Sequence, residues 1–207
     1  MTDARWVLVP VAQQANGRWV DDVLRDRVAE GALAGRRTFS TDVPRRRIEV
    51  FRGNAPDDEI NAQFHARGWT DGLPIIIPTS GRVEEHVRSA GFPAQHVIGE
   101  VDPIAGVATI EKLAINAVMA GCRPEYFPVV LAAVHALIDP TFNLRGVQTT
   151  DENVTPLVIV SGPIAARLEI NSGLGVLGPG WQANATIGRA LRLIMQNIGG
   201  GWPGVVS

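Results

Sequence analysis

The stretch Thr109-Ile110-Glu111-Lys112-Leu113-Ala114-Ile115-Asn116-Ala117-Val118-Met119-Ala120-Gly121-Cys122-Arg123-Pro124-Glu125 decides the fold of this chain. Up to Ala120 it carries Ile110, Leu113, Ile115, Val118 and Met119 at helical spacing, and residues 125–138 are apolar on nearly every side. Helices that are apolar all round belong in a core, so two core helices are predicted to flank a turn at Gly121-Cys122. Pro124 suits the first position of a helix and Glu125 its first turn. Cys122 would then sit beside unpaired backbone N–H groups and the positive end of a helix dipole, with Arg123 adjacent, and these favour thiolate. It is therefore the candidate nucleophile or redox thiol, with Glu125 as a candidate proton donor. The opposing reading is a buried, inert thiol, the common fate of a lone intracellular cysteine, with Glu125 a partner of the helix dipole.

Outward from this turn, apolar runs bounded by prolines and glycines read as strands, as at residues 73–78 (Leu-Pro-Ile-Ile-Ile-Pro) and 157–160 (Leu-Val-Ile-Val). Residues 6–11 and 48–51 are two further strand candidates. Residues 21–30, 56–67, 83–90, 164–168 and 183–198 read as helical, and 91–106 as loop. Apolar strands mixed with apolar helices predict an α/β fold with a buried mixed or parallel sheet and long apolar helices. The expected organisation is an N-terminal appendage over residues 1–65 and an α/β core domain over 66–207.

Composition narrows the functional classes. The chain has 207 residues, 45% of them hydrophobic, and a formal net charge of −2, which offers no basic surface for nucleic acid; Arg45-Arg46-Arg47 reads as a solvated loop. One cysteine makes no internal disulfide, the N-terminus lacks a signal-peptide core, and no apolar run reaches about 18 residues. A cytoplasmic location with no membrane segment is expected. His65, His86, His96 and His135 lack zinc or iron spacing, so no metal ligands are assigned, and His135 reads as a hydrogen-bonded core residue. No cofactor is identified.

Two further constellations carry chemistry. The glycine-rich loop over residues 171–180 runs into a helix and matches neither the dinucleotide nor the P-loop pattern. Its backbone N–H groups are suited to a carboxylate or phosphate, with Asn171, Ser172 and Gly173 in the loop, Asn184 as N-cap and Arg189 reaching the anion. Gly188 inside a helix points to close packing or ligand approach. A structural loop with a surface arginine explains the same residues. In Trp69-Thr70-Asp71-Gly72-Leu73-Pro74, Thr70 is a candidate substrate contact and Asp71 a candidate proton-transfer group; an Asp-Gly turn is the alternative. Lys112 and Asn116, four apart, share a helix face.

These same runs, the Thr70-Asp71-Gly72 turn, Gly121-Cys122-Arg123-Pro124-Glu125 with Tyr126-Phe127-Pro128, Ile170-Asn171-Ser172-Gly173 and Asn184-Ala185-Thr186-Ile187-Gly188-Arg189, resemble the large partner protein of the bacterial UGSC family. The small companion in that family carries selenocysteine or cysteine followed by Gly-Ser-Cys. The resemblance covers about two thirds of the chain, from near residue 66. It implies a thiol or selenol redox neighbourhood and a hetero-oligomer with a companion subunit. The family pattern continues past Gly199-Gly200 and often has a proline where Ile77 stands, which implies that a second chain completes the site.

The resulting expectation is a subunit of a thiol-dependent lyase or oxidoreductase that cleaves or reduces a carbon–heteroatom bond in a small anionic substrate. The alternatives are a metal-assisted hydrolase or hydro-lyase subunit and a non-catalytic scaffold subunit of a hetero-oligomer.

Overall fold

The computed structural model describes residues 5–10, 48–53 and 55–202. Strand β1 (Arg5–Pro10) pairs antiparallel with β2 (Ile48–Gly53), Arg5 opposite Gly53 and Pro10 opposite Ile48. The helices α1 (Asp57–Ala66) and α2 (Ser80–Ala90) follow, and then the antiparallel pair β3 (Val97–Val101) and β4 (Gly106–Thr109). Helix α3 (Ile110–Ala120), a 3-10 turn (Pro124–Tyr126) and α4 (Phe127–Leu137) form the centre. Short helices α5 (Leu144–Gln148) and α6 (Pro163–Arg167) precede the long α7 (Gln182–Asn197). The helical assignments over 21–30 and the Arg45-Arg46-Arg47 loop lie outside the described residues.

Helix α3 is the hub, because every residue of it except Glu111 is buried. Thr109 caps it by accepting the Lys112 N–H, and α2, α4 and α7 pack around it. Each fully buried Leu or Ile contributes about 1.5–3 kcal/mol, and α3 buries Ile110, Leu113 and Ile115 completely. α1 joins the same core through Ile60 and Phe64, so the boundary expected at 65/66 falls inside a core helix.

The mixed helix and strand content agrees with the sequence reading, but the expected sheet does not. Among the described residues each ladder is two-stranded and antiparallel, and no buried mixed or parallel sheet forms. The apolar helices are not long either: α3 and α4 have 11 residues each. Residues 73–78 and 157–160 are in no helix and enter no ladder. Pro74 and Pro78 remove backbone donors from the first run, and Pro156 immediately precedes the second. The donors of 73–78 go elsewhere, Ile75 N–H to the Asn61 side chain and Ile76 N–H to the Met119 carbonyl. Ile75 and Ile77 are buried while Leu73 and Ile76 are exposed, an alternation rather than burial on both faces. The expected loop 91–106 contains β3, and His135 is exposed on α4 rather than in the core.

Candidate functional site

Cys122 lies between the C-cap of α3 at Gly121 and Arg123, the N-cap of the 3-10 turn that runs on into α4, so Pro124 does take the first helical position expected of it. Gly121, at φ 88°, donates to the Val118 carbonyl, and Cys122 N–H donates to the Ala117 carbonyl. This is a Schellman closure, which needs a residue tolerant of positive φ at position 121 and places an apolar side chain at position 122. The backbone group that meets the thiol is a carbonyl of α7, not an N–H of the helical turn that follows. The side chain is 7% exposed and its Sγ donates to the Thr186 carbonyl at 3.2 Å.

Burial pushes the Cys122 thiol up to about 12, against the smaller lowering by the Thr186 contact. The expected lowered pKa is thus corrected: desolvation by burial is the largest effect on this thiol and it acts upward. The ring nitrogens of His86 in α2 stand 2.8 Å from the Arg82 carbonyl and 3.1 Å from the Cys122 carbonyl, which ties the turn to α2. Glu125 is exposed in the 3-10 turn.

Asp71 and Arg189, assigned separate roles in proton transfer and anion binding, are brought together as a pair. Arg189 Nε donates to Asp71 Oδ2 at 2.8 Å and Nη2 to Oδ1 at 2.9 Å, the two-point geometry of a guanidinium on a carboxylate. Nη2 also donates to the carbonyls of Pro74 at 2.8 Å and Leu73 at 3.3 Å. Partial burial raises the Asp71 pKa, but the hydrogen bond and charge of Arg189 outweigh it and the net shift is downward. Asp71 is therefore a fixed carboxylate near neutral pH, unsuited to donating a proton. Thr70 is buried and its hydroxyl accepts the Gly72 N–H, which closes the turn.

No family model, curated protein or solved structure matches this chain.

The glycine-rich loop is also closed on itself. Asn184 does not cap α7, whose N-cap is Trp181; it sits in the first turn and turns its amide onto the loop. Its Oδ1 accepts the Asn171 N–H and its Nδ2 donates to the Asn171 and Val176 carbonyls. Asn171 in turn accepts the Gly173 N–H and donates to the Leu174 carbonyl. Ser172 and Gly173 are exposed on the loop's outer side. The N–H groups of Asn171 and Gly173, expected to converge on an anion, are thus already bonded within the protein. At Gly188, where close packing or ligand approach was expected, a Cβ would meet no atom within 4 Å.

The sequence reading missed the rest of the α7 stripe. Gln196 donates to the Gly68 and Thr70 carbonyls, and Asn197 donates to the Trp69 carbonyl and to Asn116 Oδ1. Arg192 reaches the Gly201 carbonyl; burial lowers its pKa, and the Asp71 carboxylate opposes that shift. Arg189, Arg192 and Gln196 recur three and four residues apart, the spacing of one helix face, and this was the available signal. Lys112 and Asn116 do not bind each other's side chains: Asn116 donates to the Lys112 carbonyl and Lys112 Nζ to the Val107 carbonyl. Among the described residues no cluster of three His, Cys, Asp or Glu side chains is placed to hold a metal, and no helix is long and apolar enough to cross a membrane.

Proposed function

We propose that this chain is a non-catalytic scaffold subunit of a hetero-oligomer, with Cys122 a structural thiol. One observation carries the reading: the thiol, the Asp71 carboxylate and the loop amides are committed inward, and Glu125 stands exposed apart from them. The Cys122 proton is held by a backbone carbonyl, Asp71 is held by Arg189, and the Asn171 and Asn184 amides hold each other's segment. A buried thiol far above neutral acidity supplies almost no thiolate, the form that attacks an electrophile.

The outward groups support the same reading. Leu73 and Ile76 on one loop and Leu174, Leu177 and Trp181 on another are exposed, and both loops are held against the N-terminal half of α7, through Arg189 and Asn184. Large apolar side chains left exposed on loops along one helix are the kind of surface that a partner covers. The resemblance of the Gly121–Glu125 run to the UGSC large partner adds a companion subunit as the partner.

The test is alkylation of native protein at neutral pH beside the unfolded chain. The scaffold reading expects Cys122 to react far more slowly when folded; reaction at the unfolded rate or faster would restore the thiol-dependent lyase or oxidoreductase reading.

A further inference from the structure

The segment over residues 157–160 alternates exposed and part-buried residues as a strand does, and it has the partners of none. Leu157 and Ile159 are 72% and 84% exposed, while Val158 and Val160 pack against the core, so one face is seated and the other is bare. Among the described residues no hydrogen bond involves a backbone N–H or C=O of residues 155–160. Exposed strand edges in proteins are ordinarily blunted by charges, bulges or a covering element. Here no residue from 153 to 163 is charged, so nothing in the segment opposes pairing with its own copy.

The proline fixes which edge is competent. Along an extended chain successive N–H and C=O groups point to opposite edges. Pro156 lacks an N–H and shares its edge with Val158 and Val160; the other edge, with Leu157 and Ile159, keeps every donor. An antiparallel mate on that edge, centred on Val158, sets Leu157 opposite Ile159 of the second copy in a hydrogen-bonded pair. Pro156 then falls opposite Val160 in a non-bonded pair, where a missing N–H costs nothing. The same register brings the bare Leu157 and Ile159 side chains of the two copies together on one face, the arrangement that stabilises cross-strand pairs. A two-fold axis through Val158 reproduces the contact on both copies, as a closed dimer requires.

We infer that residues 157–160 are a docking strand for a second copy of this chain, joined antiparallel about Val158 through the Leu157 and Ile159 edge. The inference rests on the scaffold reading and names one partner within it. Sedimentation of the full chain is expected to show a dimer that Ile159→Lys converts to monomer with unchanged circular dichroism, while Leu177→Lys stays dimeric. Val158→Cys is expected to give a covalent dimer on mild oxidation, because facing residues of a non-bonded pair lie about 4.5 Å apart between Cα atoms, within disulfide reach. A monomeric wild-type chain, a dimer that survives Ile159→Lys, or a Val158→Cys dimer that fails to cross-link on oxidation would each overturn it. None of these outcomes alters the alkylation rate of Cys122, so the pairing and the scaffold reading fail separately.

Discussion

Arg189 on α7 holds Asp71 by two hydrogen bonds across 118 positions of sequence, and the same guanidinium reaches the carbonyls of Leu73 and Pro74. One side chain therefore fixes both the charge and the backbone path of the Thr70–Pro74 turn. Both partners are mostly sheltered, with side-chain exposures of 16% for Asp71 and 20% for Arg189, which places the pair between a surface bridge and a buried one.

Asp71→Asn keeps the shape and removes the charge, and is expected to lower stability by about 1–3 kcal/mol at neutral pH. Because the native pKa of Asp71 is depressed, its contribution is complete above the ordinary value of 3.8 and disappears as pH falls through the native value. Urea unfolding over this acid range should show a shallower decline for the variant than for the wild type.

The Cys122 thiol reports on the opposite end of the pH scale. Its native pKa is raised from 9.0 to about 12, so the folded state holds the proton more tightly and the stabilisation, whole below 9.0, is lost as pH rises through that interval. Cys122→Ala is expected to cost about 1 kcal/mol at neutral pH and to flatten the alkaline decline, as read by denaturant titration. An unchanged alkaline slope would contradict the burial of this sulfur.

Lys112 is buried on α3 with the Val107 carbonyl as its Nζ partner, and burial lowers its pKa. A depressed native pKa in a base means the unfolded chain binds the proton better, so this group's cost declines as pH rises toward 10.5. Lys112→Met, which keeps the length and drops the charge, is expected to raise stability by about 1 kcal/mol at neutral pH. Thermal melting of both proteins at neutral and alkaline pH checks it, with the difference shrinking at the higher value.

Gly188→Ala should also stabilise. The position is helical and exposed with open space for a Cβ, and alanine in a helix interior is favoured over glycine by about 1 kcal/mol. A drop in the unfolding midpoint would show that something approaches the backbone there.

Much of the helical frame was legible because its signals are local. The apolar spacing of residues 109–120 located α3, and the pattern over 183–198 located α7 to within a residue. The strands were harder to read, because an apolar run bounded by prolines looks the same whether it enters a sheet or crosses the surface. Residues 73–78 spend their amides on Asn61 and Met119, and residues 157–160 leave theirs bare; neither choice is written in the run itself. Of the candidate residues, Asp71 with Arg189 and Asn171 with Asn184 come together, and they meet as partners of each other.

What the sequence by itself determined is the helices α3 and α7, the turn at Gly121-Cys122, and the polar residues that had to find partners, because periodicity, glycine tolerance and hydrogen-bonding capacity are properties of short segments. Only the tertiary structure decided the state of Cys122 and the fate of Asp71. A thiol's acidity depends on how much water reaches it and which groups meet it, and a carboxylate's role depends on whether a distant arginine lies within reach. Both are set by how α2, α3 and α7 pack.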